Sequence, residues 1–195
     1  MVLSGQYLER PALISCGTLT LDGLYHRGRR APALLCCPPV ESGGMDSPPL
    51  AELAWACARA GYASLRFQYR GFGASDGVRD PTAALEDAEA ALTHLAATVP
   101  GPVAVAALGS GCATALALVR AHPEVAYGVL LVPDMPVDAD GLSARVLVLL
   151  PEDGAPIATD HVRGAATRVI RGADRRFTRG LPELGRAAVA FLEAR

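Results

Sequence analysis

The chain has 195 residues, of which 51% are hydrophobic, and its 18 basic and 20 acidic residues give a formal net charge of -2. This length and apolar content are typical of one domain with a sizeable buried core, so we expect residues 1–195 to form a single domain. The near balance of charge argues against nucleic-acid binding, and no apolar run reaches the roughly 18 residues that would span a membrane.

The N-terminal part of the chain predicts a β-ribbon and no leader. Residues 1–10 (MVLSGQYLER) have neither the basic stretch nor the apolar stretch of a secretory signal, which indicates a cytoplasmic location. Apolar residues then alternate with small or polar ones over 13–21 and 23–26. Such alternation is typical of an exposed antiparallel ribbon, and we expect it at one edge of a sheet.

The rest of the chain alternates between strand-length and helix-length patterns. Continuous apolar stretches, typical of strands buried on both faces, lie at 33–37, 64–69, 103–108, 125–132, 145–150 and 167–170. Helices are predicted between and after them, at 48–60, 81–97, 111–120 and 182–193; the pairs Ser47-Pro48 and Asp80-Pro81 are typical helix starts. Repeated strand–helix–strand units predict an α/β fold: a mostly parallel sheet of about seven or eight strands with helices on both faces.

Two segments in the first half of the chain carry a family resemblance. The segment at 61–77 (GYASLRFQYRGFGASDG) resembles the strand and glycine-rich turn that small α/β-hydrolases carry ahead of their nucleophile. The loop at 36–46 (CCPPVESGGMD) is similar to that of compact serine hydrolases, and its Pro-Pro start is similar to hydrolase-like proteins associated with exosortase systems. Later segments at 103–118 (VAVAALGSGCATALAL) and 171–192 (RGADRRFTRGLPELGRAAVAFL) extend the resemblance over most of the chain from about Ala31. The resemblance implies the α/β-hydrolase fold, with its working site beyond the carboxyl ends of the strands.

The family's nucleophile stands in a G-x-S-x-G turn between a strand and a helix, where its backbone is strained and its neighbours are small. The matching register here is residues 107–111, which places Gly109 at the nucleophile position. Glycine tolerates the strained backbone, so we expect the turn to persist without its hydroxyl group. A register shifted by one residue would make Ser110 the nucleophile, but it would also put the bulky Leu108 where a small residue belongs.

The two other triad positions also depart from the family pattern. The resemblance places the acid in the loop after the strand at 145–150, where Asp153 stands, with Glu152 beside it and Gly154 in the strict register. It places the base after the last strand, where the sequence has Arg175 instead of histidine. Arginine cannot accept a proton near neutral pH, so Arg175 cannot act as a general base.

The expected oxyanion hole is also incomplete. One of its donors would be the Ser110 N–H, and the other normally comes from the loop after the first parallel strand. That loop begins with Pro38 and Pro39, which have no N–H, and Val40 could replace them only if the loop is rebuilt.

The five cysteines lie mostly inside apolar runs and their number is odd, which indicates buried thiols instead of a disulfide framework. Cys37 and Cys112 lie close to the expected site and are alternative nucleophiles beside Ser110. The four histidines are scattered and no Cys-x-x-Cys pair occurs, so neither a metal nor another cofactor is expected.

The segment between residues 132 and 145 is too short for the helical lid that many members of the family insert there, so we expect an open cleft. Its expected lining consists of Pro38, Pro39, Val40, Met45 and Met135. Six arginines at 163–179 lie near its rim, where they form either a solvated face or a site for a carboxylate or phosphate group.

These residues predict a protein with the hydrolase fold and no intact triad, because the triad positions hold Gly109, Asp153 and Arg175. We expect it to have lost serine-hydrolase activity and to bind a small molecule or a protein partner at the former active site. The expected binding residues are Pro38, Pro39, Val40, Ser110 and Arg175. The alternative is a small ester or thioester hydrolase with a displaced nucleophile, either Ser110 or one of the two cysteines named above.

Overall fold

The computed structural model of the chain describes residues 9–194. Most of the N-terminal segment that was predicted not to be a secretory signal, residues 1–8, lies outside the described residues. Ten strands occur within the described residues: β1 (Glu9–Cys16), β2 (Leu19–His26), β3 (Arg30–Cys37), β4 (Tyr62–Phe67), β5 (Val103–Leu108), β6 (Val125–Leu131), β7 (Val137–Asp138), β8 (Arg145–Asp153), β9 (Val162–Arg163) and β10 (Ala166–Asp174). Four α-helices occur in the same range: α1 (Pro48–Arg59), α2 (Ala84–Ala96), α3 (Gly111–Ala121) and α4 (Leu181–Glu193).

Eight of the strands form one sheet, in the order β1-β2-β4-β3-β5-β6-β8-β10. Strand β2 pairs antiparallel with both β1 and β4, and the remaining neighbours in this sheet are parallel. The short strands β7 and β9 pair with each other in a second, two-stranded sheet. The predicted mostly parallel sheet of seven or eight strands is therefore confirmed, with the antiparallel ribbon at one edge.

Helices cover both faces of the large sheet, because successive side chains of each strand point to opposite faces. On β3, Leu35 and Cys37 pack in the cluster formed with α2 and α3, whereas Leu34 and Cys36 pack in the cluster formed with α1 and α4. All four side chains are buried. A strand that is apolar on both faces needs a helix layer on each side, which explains why the central strands are continuous apolar runs.

The boundaries of two elements differ from the prediction. The turn of the N-terminal ribbon lies at Gly17 and Thr18, whereas the sequence pattern placed the break at residue 22. Gly17 has a φ of 58°, a left-handed conformation that suits glycine in a tight turn. Helix α2 begins later than predicted, because a 3-10 turn at Pro81–Ala83 precedes it and the Asp80 carboxylate accepts a hydrogen bond from the Thr82 N–H at 2.9 Å.

The loops after the parallel strands converge at one edge of the sheet, since parallel strands end on the same side. The segment between β6 and β8 contains the short strand β7 and no helix, so a helical lid is absent there, as predicted. In the part of the chain that the structure describes, no helix is both long and apolar enough to pass through a membrane.

Candidate functional site

A tight turn, residues 109–111, joins β5 to α3, and we call it the elbow. Gly109 has a φ of 56° there, a left-handed conformation that glycine adopts readily. Its N–H donates to the Leu131 carbonyl at 3.0 Å, and its carbonyl accepts from the Cys112 N–H at 3.0 Å. A Cβ atom added to Gly109 would approach only the Pro39 Cγ atom, at 3.9 Å. The elbow therefore combines a left-handed backbone, which would be strained in a residue with a Cβ atom, with free space where a side chain would stand.

Gly111, two residues later, allows the loop after β3 to pack directly on the elbow. A Cβ atom added to Gly111 would lie 2.3 Å from the Pro38 carbonyl oxygen and 3.0 Å from the Cys37 carbonyl oxygen. A larger residue would therefore push this loop away from the start of α3. The same contact holds Pro38 against the elbow, outside the lining of the cleft described below.

Ser110 links the elbow to that loop. Its backbone angles are ordinary helical ones, with φ -63° and ψ -21°. Its Oγ atom accepts a hydrogen bond from the Val40 N–H at 3.0 Å and donates one to the Glu41 carboxylate. The Val40 N–H is the donor that this loop could offer to an oxyanion in place of the prolines, and the Ser110 hydroxyl group occupies it.

An open cleft of about 690 Å³ lies beside the elbow, at the carboxyl ends of the parallel strands. Of the residues predicted to bind a ligand, Pro39, Ser110 and Arg175 line this cleft together with Gly109. Its lining combines apolar residues with four charged ones. The full lining consists of Pro39, Glu41, Ser47, Pro48, Pro49, Leu108, Gly109, Ser110, Val132, Asp134, Arg175 and Arg176.

Other residues predicted for the cleft lie outside its lining. Val40 lines a neighbouring cavity of about 160 Å³ instead, together with Tyr69. Met45 is buried and Met135 is partly exposed at the surface. The loop after β3 turns so that Pro39 and Glu41 border the cleft, and Glu41 borders both cavities.

The turn after β10 carries Arg175 and Arg176 to the cleft wall. The Asp174 carboxylate accepts hydrogen bonds from the Arg176 and Thr178 N–H groups, both at 3.0 Å, and from the Thr178 hydroxyl group. The bond from the Thr178 hydroxyl group is the main cause that lowers the pKa of Asp174 below its ordinary value. Phe177, in the same turn, is buried with a positive φ of 52°. Asp174 and Phe177 thus anchor the turn on either side of the two arginines.

The two candidate acids, Glu152 and Asp153, stand at the end of β8 and not in a loop after it as predicted, and neither lines the cleft. The Asp153 carboxylate is exposed and lies 3.9 Å from the Arg179 guanidinium group. The Glu152 carboxylate accepts a hydrogen bond of 2.7 Å from an N–H group of β10, which joins the ends of the two strands. Gly154, the strict acid position, lies next to the base position, since a Cβ atom added to it would be 3.5 Å from the Arg175 Cβ. The structure therefore brings residues 154 and 175 together, whereas the Asp153 carboxylate pairs with Arg179.

None of the four histidines, all of which lie among the described residues, lines the cleft. His26 is buried on β2, where its Nδ1 atom lies 3.2 Å from the Ser64 Oγ atom, and burial lowers the pKa of its imidazole. His122 follows α3, with its Nε2 atom 3.2 Å from the Glu89 carboxylate. Within residues 9–194, no three His, Cys, Asp or Glu side chains are grouped so that they could hold a metal ion.

The thiols of Cys37 and Cys112 are buried, and neither lines the cleft. The Cys112 Sγ atom lies 3.6 Å from the carbonyl oxygens of both Ala107 and Leu131, and its single hydrogen has these two acceptors. Burial raises the pKa of both thiols above its ordinary value. A thiolate at either position would therefore be both costly to form and remote from a ligand in the cleft.

Glu41, Val132 and Asp134 line the cleft although no sequence motif marks them. Val132 directly follows β6 and has a positive φ of 47°, which is a strained conformation for a β-branched residue. Such strain is found most often at functional sites. All three residues stand within a few positions of the end of a parallel strand, and that location is the signal that could have identified them.

Comparison with known proteins relates the chain to hydrolases. The sequence profile of the Alpha/beta hydrolase family matches residues 27–195. The fold is similar to that of an alpha-beta serine hydrolase homologue from Coxiella burnetii, at 20% identity and a TM-score of 0.75, covering 94% of this chain and 97% of that one. It is also similar to Est1E from Butyrivibrio proteoclasticus, solved with ferulic acid bound, at 14% identity and a TM-score of 0.77 over 92% and 97% of the two chains. The Pyrococcus furiosus esterase Pf2001 matches at 14% identity and a TM-score of 0.75 over 94% and 91%. No curated protein matches the sequence significantly.

Proposed function

Since the chain belongs to the alpha/beta hydrolase family, as the resemblance predicted, we propose that it binds a small molecule or a protein partner at the former active site without hydrolysing it. The observation that carries this proposal is the elbow. Gly109 has the backbone of a nucleophile position and free space beside it, but no nucleophilic atom. Removal of the nucleophile alone lowers the rate of a triad enzyme by several orders of magnitude.

The base position supports the same proposal. Arg175 stands there with a permanent positive charge, and no imidazole of the described residues lines the cleft. The Ser110 hydroxyl group, the nearest replacement nucleophile, occupies the Val40 N–H that an oxyanion would need. The nucleophile and the base are thus missing at their family positions, and one oxyanion donor is already engaged.

The shape of the cleft supports a binding role. It is open, has about 690 Å³ of space, and the segment between β6 and β8 contains no helix. A small ligand or a protruding segment of a partner protein can therefore enter without a lid having to move.

We further propose that residues 1–195 fold as a single domain, and that the protein works in the cytoplasm, where free thiols such as its five cysteines persist.

This proposal predicts that the purified protein neither reacts with a fluorophosphonate probe nor hydrolyses short-chain p-nitrophenyl esters above background. Ser110→Ala is the matched control, because it removes the hydroxyl group at the elbow and leaves Gly109 unchanged. We expect both chains to give the same background rate, and mass spectrometry to find no adduct on either. Stoichiometric labelling of Ser110, with hydrolysis lost in Ser110→Ala, would contradict the proposal.

A second candidate function is hydrolysis of small esters or thioesters with Ser110 as a displaced nucleophile. Its supporting observation is the hydrogen bond from the Ser110 hydroxyl group to the Glu41 carboxylate, which could accept the proton during attack. This candidate ranks second because a carboxylate is a weaker base than imidazole and because the Ser110 backbone is relaxed. Cys37 and Cys112 support it less, since both thiols are buried. In the assay above it predicts turnover that disappears in both Ser110→Ala and Glu41→Gln.

A further inference from the structure

Two arginines of the cleft wall have side chains without a partner among the described residues. The Arg175 and Arg176 guanidinium groups form no ion pair and no hydrogen bond with any of residues 9–194, although both line the cleft. Other arginines of the same stretch pair with carboxylates: Arg163 with Asp140, Arg168 with Glu183 and Arg179 with Asp153. Arg171, the sixth arginine of the stretch, also forms no ion pair among the described residues, but it lies outside the cleft lining. The uncompensated positive charge at the cleft is therefore that of Arg175 and Arg176.

The two guanidinium groups extend from a turn whose backbone is fixed by hydrogen bonds and by a buried side chain. Asp174 holds the turn through the Arg176 and Thr178 N–H groups, and the buried Phe177 fixes its other side. Each guanidinium group presents pairs of N–H donors whose spacing matches the oxygens of a carboxylate or a phosphate. Because both residues line the same cleft, their guanidinium groups together suit one anionic headgroup.

The rest of the cleft indicates what the headgroup is attached to. Glu41 and Asp134 also line the cleft, and among the described residues neither carboxylate forms an ion pair with Arg175 or Arg176. These carboxylates would repel a second anionic group, so the ligand carries its negative charge at one end. The apolar lining residues are Pro39, Pro48, Pro49, Leu108 and Val132.

We infer that the cleft binds an organic anion with an apolar body, whose carboxylate or phosphate group is held by Arg175 and Arg176. This inference rests on the proposed binding function, because it names the class of ligand for the same cleft. The space of about 690 Å³ lies within the range of about 300 to 1,000 Å³ that is typical of pockets for small organic ligands.

The test compares three ligands that share one bicyclic body and differ in the headgroup: 2-naphthoate, 2-naphthyl phosphate and 2-naphthol. Isothermal titration calorimetry gives the Kd of each for the full chain. We expect at least one of the two anions to bind about tenfold more tightly than 2-naphthol, since a charge-assisted hydrogen bond to the headgroup is added. The ratio of the two anions' Kd values distinguishes a carboxylate site from a phosphate site.

Charge-removing variants locate the headgroup. Arg175→Gln and Arg176→Gln are each expected to weaken binding of the preferred anion about tenfold and to leave 2-naphthol unchanged. Arg171→Gln is the matched control, because it removes the same charge from an exposed position on β10 outside the cleft lining. It is expected to leave all three Kd values unchanged.

Three results would overturn the inference: equal binding of 2-naphthol and the anions, an equal effect of Arg171→Gln and Arg175→Gln, or no binding of either anion at millimolar concentration. None of these results tests hydrolysis, so the proposed loss of activity is judged separately by the ester and probe assay. Conversely, if that assay finds turnover that depends on Ser110, the proposed function fails, and the effect of Arg175→Gln on anion binding still decides this inference.

Discussion

A side chain at position 111 would disturb the protein more than one at position 109, although both residues are glycines of the elbow. An alanine Cβ atom at residue 111 would meet the backbone oxygen of Pro38 at 2.3 Å, so two backbone segments would have to separate. At residue 109 the nearest atom is 3.9 Å away, and only the left-handed conformation opposes a side chain. A side chain is therefore opposed by a steric clash at residue 111 and by the backbone conformation at residue 109.

We therefore expect Gly111→Ala to lower the free energy of unfolding by about 3 kcal/mol, at the upper end of overpacking effects. Gly109→Ala is the matched comparison and is expected to cost about 1 kcal/mol, because the left-handed backbone disfavours a Cβ atom. Urea unfolding followed by circular dichroism measures both values. If Gly111→Ala proved the milder change, the loop after β3 would not pack on the elbow as described.

At the residue scale, local motifs were informative and long-range contacts were not. The G-x-S-x-G register was sufficient to place Gly109 in a left-handed turn between a strand and a helix, because neighbouring residues determine that geometry. The link from Val40 through Ser110 to Glu41 could not be predicted in this way. It joins residues about seventy positions apart and depends on how one loop packs on another element.

Helix α2 is tied to the loop after β4 by a buried carboxylate. Asp87 is fully buried on this helix, and its carboxylate accepts hydrogen bonds from the Arg70 N–H and from the Arg70 Nε, both at 2.8 Å. Glu86, its neighbour on the helix, also pairs with Arg70, but its side chain is 63% exposed. The two carboxylates thus share one partner and differ in burial.

Because of this difference, Asp87→Ala is expected to lower the free energy of unfolding by about 3 kcal/mol, since it leaves the Arg70 guanidinium group without its buried partner. Glu86→Ala is expected to cost less than about 1 kcal/mol, as solvent-exposed ion pairs contribute little. Thermal unfolding of the two variants at equal ionic strength measures both losses of stability. Similar losses in both would indicate that Asp87 is not buried in solution.

At the element scale, the central strands were predictable because both of their faces are apolar, and the strand ends were less so. Strands β8 and β10 extend several residues beyond the predicted stretches, through polar residues such as Glu152 and Arg171 that hydrophobic periodicity does not mark. Strands β7 and β9 have two residues each, too few for any periodicity, and they depend on pairing with each other.

At the scale of the whole molecule, the buried thiols should lower the free energy of unfolding at alkaline pH. Burial raises the pKa of the Cys36 thiol to about 12, and it also raises the pKa values of Cys37, Cys57 and Cys112. In the unfolded chain a thiol has a pKa of about 8.5. Above that pH the unfolded chain binds fewer protons than the folded chain, so the free energy of unfolding falls as pH rises.

We expect this fall to amount to about 1.4 kcal/mol per pH unit for each thiol that remains protonated in the folded chain. The measurement is the free energy of unfolding in urea, under reducing conditions, at a series of values between about pH 8 and about pH 10. Cys57→Ala is the control, because it should reduce the slope by one proton whatever its effect on absolute stability. A free energy independent of pH over this interval would contradict the burial of the thiols.

The walls of the cleft have little freedom to change shape. Pro39, Pro48 and Pro49 have φ angles fixed by their rings, and hydrogen bonds of 3.0 Å to neighbouring strands hold the N–H groups of Gly109 and Val132. A ligand that enters such a cleft orders few protein dihedrals, and most of the conformational entropy lost on binding is its own. If the cleft binds a ligand as proposed, we therefore expect rigid molecules to bind more tightly than flexible ones of equal polarity.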